Sequence, residues 1–93
     1  MARVKTNGRK LIGFELHTEP GTEVFVAGTF NNWNPWEYPM KDNPQEGHFK
    51  TEIMLPRGRY EYKFIVNGDW RPDPNCSESA TNSYGSLNSV LLV

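Results

Sequence analysis

The chemistry available to this 93-residue sequence rests on three tryptophans, a lysine and a set of asparagines. The stretch GTFNNWNPWEYPM, Gly28 to Met40, sets Trp33 and Trp36 among asparagine and proline. Proline and clustered asparagine exclude a core helix or a central strand there, so both indoles belong to a loop. Binding residues concentrate on loops held by a rigid scaffold. An indole offers a flat apolar face, and the neighbouring amides offer donors and acceptors. That combination suits a ligand that is apolar on one plane and hydroxylated around its rim, as a sugar ring is.

Other chemistries find less support. His17 and His48 are far apart in the sequence and unaccompanied, so neither a metal nor a catalytic role is expected. Cys76 has no nearby histidine and no C-x-x-C partner; it reads as a loop cysteine in a reducing compartment, with no intrachain disulfide. No phosphate loop or nucleophile motif is present, and no cofactor is expected. Carboxylates are numerous, and counting them does not exclude a glycosidase-type pair. No catalytic constellation assembles, however, and 93 residues leave little room for a cleft, so the domain reads as non-enzymatic. Ten Lys and Arg against eleven Asp and Glu give a formal charge of -1, which argues against a phosphate-backbone binder. There is no apolar run long enough for a membrane span, and MARVKTNGRK lacks the apolar stretch of a signal peptide. A cytoplasmic setting, with neither nucleic acid nor membrane as partner, is the expectation.

The elements that position these residues alternate with period two, and no helical periodicity is sustained. Lys10 to Thr18 reads as a first strand, and Val24 to Gly28 as a second that runs into the tryptophan loop. His48 to Leu55, Tyr60 to Val66 and the final LNSVLLV complete the pattern. Eight glycines and seven prolines supply the turns of a sandwich or small open barrel. Residues 1–8 are expected to be a flexible tail ahead of one domain over 9–93. Parity predicts a hairpin between the third and fourth strands, with a four-residue loop Pro56 to Arg59. It pairs Leu55 with Tyr60, Ile53 with Tyr62, Thr51 with Phe64 and Phe49 with Val66. Asn67-Gly68 predicts a two-residue type I′ turn that sets Ile65 opposite Trp70. Trp70 and Lys63 are then diagonal neighbours on the face away from the core. The same register puts Glu52 opposite Lys63, where an ordinary cross-strand ion pair would account for the lysine. Phe30 is expected to be a core residue or a loop anchor.

VFVAGTFNNWN, LPRGRYEYKFIVNGDWRPDP and NSYGSLNSVLLV, in this order and spacing, resemble the family 48 carbohydrate-binding modules. These include the N-terminal domains of isoamylases and branching enzymes and the glycogen-binding domain of the AMP-activated protein kinase β subunit. The resemblance runs from about Glu23 to Val93. It implies an all-β, immunoglobulin-like (early-set) β-sandwich that binds α-1,4-glucans such as glycogen, starch and malto-oligosaccharides. By the resemblance, Trp33 and Trp70 match the two stacking tryptophans, Lys63 a lysine that donates to sugar hydroxyls, and Asn88 an asparagine that hydrogen-bonds the glucan. Tyr84 stands where kinase-type members often carry a leucine, and Ser86 where they carry a threonine; a tyrosine at that place can stack. Trp36 matches no motif position and either extends the platform or packs. The implied partners are the α-glucan itself and a glycogen- or starch-metabolising enzyme or kinase complex. A protein-interaction domain using the same aromatic face is the competing reading.

Overall fold

The computed structural model describes residues 8–93, so the expected tail lies outside the described residues except for Gly8, which sits in a turn. Its strands are β1 (Lys10–His17), β2 (Val24–Gly28), β3 (Tyr38–Pro39), β4 (His48–Leu55), β5 (Arg59–Val66), β6 (Asp69–Arg71), β7 (Ser79–Thr81) and β8 (Leu87–Leu92). One turn of 3-10 helix, Thr29–Asn31, follows β2. All pairings are antiparallel. β1 and β4 form a two-stranded sheet, and β3-β2-β5-β8-β7 form a second, with β6 added to β5. The result is an all-β sandwich.

Alternation decides which residues meet between the sheets. Phe14, Leu16, Phe49, Ile53 and Leu55 come from the smaller sheet; Val24, Val26, Tyr62, Phe64 and Val66 come from the larger one. Burying each such side chain contributes roughly 1.5–3 kcal/mol. Phe30 packs on this core from the tryptophan loop, with its ring 5.8 Å from that of Phe14. Tyr62 also reaches across to donate a 2.6 Å hydrogen bond to Asp73 Oδ2, and Asp73 N in turn donates to Ser89 Oγ. Burial, with the Asp73 carboxylate beside it, pushes the Tyr62 phenol well above its ordinary pKa.

The hairpin expected between His48–Leu55 and Tyr60–Val66 does not form. β4 pairs with β1 instead: Leu55 lies opposite Lys10, Ile53 opposite Ile12, Thr51 opposite Phe14 and Phe49 opposite Leu16. Both edges of β5 are already occupied, by β2 on one side and by β8 and β6 on the other. Residues 56–58 therefore carry the chain from one sheet to the other, and the two apolar faces meet across the sandwich rather than side by side. The ion pair expected between Lys63 and Glu52 falls with that register, because Glu52 lies opposite Gly13 in the smaller sheet. His17 and His48, expected to be unaccompanied, are cross-strand partners with rings 4.2 Å apart and 13° from parallel. His48 Nε2 lies 3.3 Å from Glu15 Oε2. Among the described residues no group of three or more His, Cys, Asp or Glu side chains is placed to hold a metal. Nor is any helix among them long and apolar enough to cross a membrane.

The segment entering β4 is held by Asp42, whose carboxylate accepts from the amides of Glu46, Gly47 and His48 at 3.1, 2.8 and 2.9 Å. Desolvation opposes ionisation there, but these bonds together with His48 outweigh it and hold the carboxyl below its ordinary range.

Candidate functional site

The site lies on the outer face of the larger sheet. Trp33 is delivered by the turn that follows β2. Asn32 and Trp33 both adopt left-handed backbone, with φ of 55° and 60°. Asparagine tolerates that conformation, whereas a tryptophan in it is strained, at a cost on the order of 1–3 kcal/mol. The surrounding bonds fix it: Trp33 N donates to the Gly28 carbonyl, Gly28 N to Asn31 Oδ1, and Asn31 Nδ2 to the Asn34 carbonyl. Asn31 and Asn34 thus frame the loop, and neither lines the cleft. The turn also needs Gly28 itself. A Cβ there would run into the Glu61 carbonyl oxygen and lie 2.7 Å from the Phe30 ring and 2.9 Å from Tyr62 Cβ.

Trp70 comes from the expected hairpin. Asn67 and Gly68 have φ of 47° and 86°, the pair of positive values a type I′ turn requires. The register pairs Val66 with Asp69 and Ile65 with Trp70. Along that edge of β5 the partner changes at one residue. β8 pairs as far as Tyr62, opposite Ser89, and β6 takes over at Phe64, opposite Arg71. Lys63 sits alone between the two ladders, at a seam that separates β6 from β8. Its side chain is 8% exposed. Its Nζ donates to Ser86 Oγ at 2.9 Å, and among the described residues no carboxylate pairs with it.

The segment 82–86 closes the far side. Asn82 Oδ1 accepts from the amides of Tyr84 and Ser86 at 2.9 and 3.1 Å. Asn82 Nδ2 donates to Ser86 Oγ at 2.7 Å and to Asn88 Oδ1 at 3.1 Å. Asn88, 5% exposed, passes the chain on through Nδ2 to Glu61 Oε1 at 2.9 Å, while Arg59 donates to Glu61 Oε2 at 2.8 Å. The Asn88 and Arg59 hydrogen bonds hold the Glu61 carboxyl below its ordinary range.

All six residues expected from the sequence, Trp33, Lys63, Trp70, Tyr84, Ser86 and Asn88, line one cleft of about 540 Å³. The Trp33 and Trp70 ring centres are 6.3 Å apart with planes inclined at 55°, so the indoles form an angled platform rather than a sandwich. Tyr84 stands 93% exposed at the rim. Trp36 is outside the cleft: it is 68% exposed and set edge-on to Phe25, with centres 5.5 Å apart. Asn82 and Ser83 also line the cleft and were not singled out from the sequence. The signal for Asn82 was present in TNSYGS, since an asparagine that accepts from the amide two residues on makes an Asx turn. The cleft can stack a flat apolar face on indole and meet polar groups at its edge with an ammonium, a hydroxyl and an amide.

Comparison with known proteins identifies a family. Residues 14–93 match the family described as the glycogen recognition site of AMP-activated protein kinase. The chain is 34% identical over 76 residues to 5'-AMP-activated protein kinase subunit beta-1 of Sus scrofa, covering 82% of this chain and 58% of that protein. It is 36% identical over 76 residues to the beta-2 subunit of Mus musculus, covering 82% and 27%. It is 34% identical over 83 residues to a chloroplastic phosphoglucan phosphatase of Arabidopsis thaliana, covering 88% and 14%. The chain therefore spans less than two thirds of the length of each of these relatives. On the match over residues 14–93 it belongs to the glycogen-recognition family of carbohydrate-binding modules.

Proposed function

We propose that this chain is a non-catalytic module that binds α-1,4-glucans through Trp33, Lys63, Trp70, Tyr84, Ser86 and Asn88. The observation that carries the reading is the convergence of Trp33, Trp70 and Lys63 on one cleft, from three separate elements. The indoles stack on the apolar faces of glucose units. Lys63, with two N–H groups left after its bond to Ser86, donates to ring-edge oxygens. Tyr84 adds a face at the rim, and Ser86 and Asn88 add hydrogen bonds.

The affinity is modest. Two indole faces of roughly 80 Å² each contribute about 4 kcal/mol at ~25 cal/mol/Å², and the buried sugar carbons add a similar amount. Hydrogen bonds add roughly 1–3 kcal/mol net. Association costs at least ~4 kcal/mol and more for a flexible chain, which leaves a Kd from about millimolar to tens of micromolar. Such a module tethers an associated enzyme or kinase complex to a polymer with many equivalent sites, where effective concentration raises avidity. A cytoplasmic setting fits the free thiol of Cys76.

Amide NMR titration with maltoheptaose, with cellohexaose as control, tests the proposal. Shifts confined to the cleft and seen only with the α-glucan are the expected result. No shift at several millimolar would sink the carbohydrate reading and leave the protein-interaction alternative.

A further inference from the structure

The hydrogen bonds behind the cleft have a direction fixed at both ends. At one end the Tyr84 and Ser86 amides can only donate, so they must meet the oxygen of Asn82. Its NH2 group then faces Ser86 Oγ and Asn88. Because that group only donates, Asn88 must offer its oxygen and turn its own NH2 to Glu61. At the other end, the ionised Glu61 carboxylate can only accept, which demands the same orientation of Asn88. The two ends agree, and all four hydrogen-bonding positions of Asn82 are filled.

Ser86 inherits the consequence. Its oxygen accepts from Asn82 Nδ2 at 2.7 Å and from Lys63 Nζ at 2.9 Å, so both lone pairs are occupied. Its proton is the one hydrogen-bonding function left, and Ser86 is an exposed residue of the cleft wall.

We infer that Asn82 is a positioning residue that sets the polarity of the Ser86 hydroxyl, so that Ser86, like the neighbouring Lys63 that can only donate, meets the ligand as a hydrogen-bond donor. This rests on the glucan reading and deepens it: between these two side chains the site selects a sugar edge by oxygens that accept. Asn82 lines the cleft, but its four hydrogen-bonding positions are all engaged within the protein. It acts through Ser86.

The isosteric variant Asn82→Asp separates polarity from shape. A carboxylate still accepts from the Tyr84 and Ser86 amides, which keeps the loop closed, but it cannot donate to Ser86 or Asn88. The Ser86 proton then turns inward to the new carboxylate, and the outward donor is lost. The test is titration of the full chain with maltoheptaose at pH 7, for the parent and for Asn82→Asp. NMR follows the Tyr84 and Ser86 amides, and side-chain NH2 exchange of Asn82 and Asn88 is measured in the ligand-free parent. The expected results are a Kd raised at least about fivefold in Asn82→Asp with both loop amides still protected, and slow NH2 exchange in the parent. Parental affinity in a folded Asn82→Asp variant would overturn the inference. Should the loop open in that variant, the parent's NH2 groups decide: protection supports the relay, and exchange at the bulk rate refutes it. If the parent itself fails to bind maltoheptaose, the glucan reading falls, and the same exchange measurement still judges the relay.

Discussion

Replacing Trp70 by alanine separates a stacking platform from a structural lid. Trp70 is 43% exposed although it lies on a strand, and it is the cross-strand partner of Ile65, which is 3% exposed. A full tryptophan side chain presents up to about 250 Å², so roughly 100 Å² stays open, close to the area one stacked glucose covers. At ~25 cal/mol/Å² the loss of about 80 Å² of contact removes about 2 kcal/mol, or a factor of roughly 30 in Kd. Applied to a parent Kd between millimolar and tens of micromolar, that puts the variant at or beyond the reach of calorimetry with maltoheptaose. Folding should suffer less. β6 has three residues, all exposed, at the end of the sheet, so a cost of about 1–2 kcal/mol is expected, read as a modest fall in thermal midpoint by circular dichroism. Trp33→Ala should behave in the same way, and because alanine keeps a Cβ the left-handed backbone at that position stays strained. A Kd within about threefold of the parent in either variant would refute the stacking argument. Unfolding of both variants would show that the indoles are lids over the sheet.

Trp36→Ala should leave the maltoheptaose Kd within about twofold of the parent, because that ring packs on Phe25 outside the cleft; a titration matched to the Trp70 experiment checks it. Gly28→Ala should destabilise the domain by roughly 2–3 kcal/mol, measured by urea unfolding, because the added methyl meets the Glu61 carbonyl, Phe30 and Tyr62. Acid should also destabilise the fold. Glu61 and Asp42 have carboxyls held below their ordinary values, so their contribution is present above the unfolded values of 4.5 and 3.8 and is lost as pH falls through the folded ones. Thermal midpoints followed downward from pH 5 should drop, and Asp42→Asn should flatten that dependence.

Side-chain parity identified faces correctly and pairing partners only in part. Phe49, Ile53 and Leu55 do share a core with Tyr62, Phe64 and Val66, as alternation requires. Alternation holds equally whether two such faces lie beside each other in one sheet or opposite each other in two, so it cannot choose between them. The choice is made by which edges of β5 are free: β2 and β8 fill them from distant parts of the chain, and β6 from the adjoining hairpin. By contrast, the Asn67-Gly68 turn is local: two residues with positive φ fix the register, and the approach of Trp70 to Lys63 followed from sequence alone. β3 and β7, two and three residues long, are too short to carry an alternation signal. Six of the eight residues that line the cleft were singled out from the sequence, by their types and spacing and by the family resemblance; Asn82 and Ser83 were not. Asn82 and Glu61 both bond to the side chain of Asn88, 6 and 27 positions away from them respectively, and composition does not reveal such bonds.

The seam at Lys63 also governs how binding redistributes stability within the domain. β6 and β8 share no ladder: each pairs with its own stretch of β5, and Asp73, just past β6, reaches β8 through its amide bond to Ser89 Oγ. A chain lying across Trp70, Lys63 and Asn88 would bridge both strands and act as a removable cross-brace. At a hundredfold excess over Kd, such a ligand stabilises the folded state by about 2.7 kcal/mol. That stabilisation would reach the amides on the two sides of the seam together, coupling the β6 and β8 ladders more tightly while the polymer is bound.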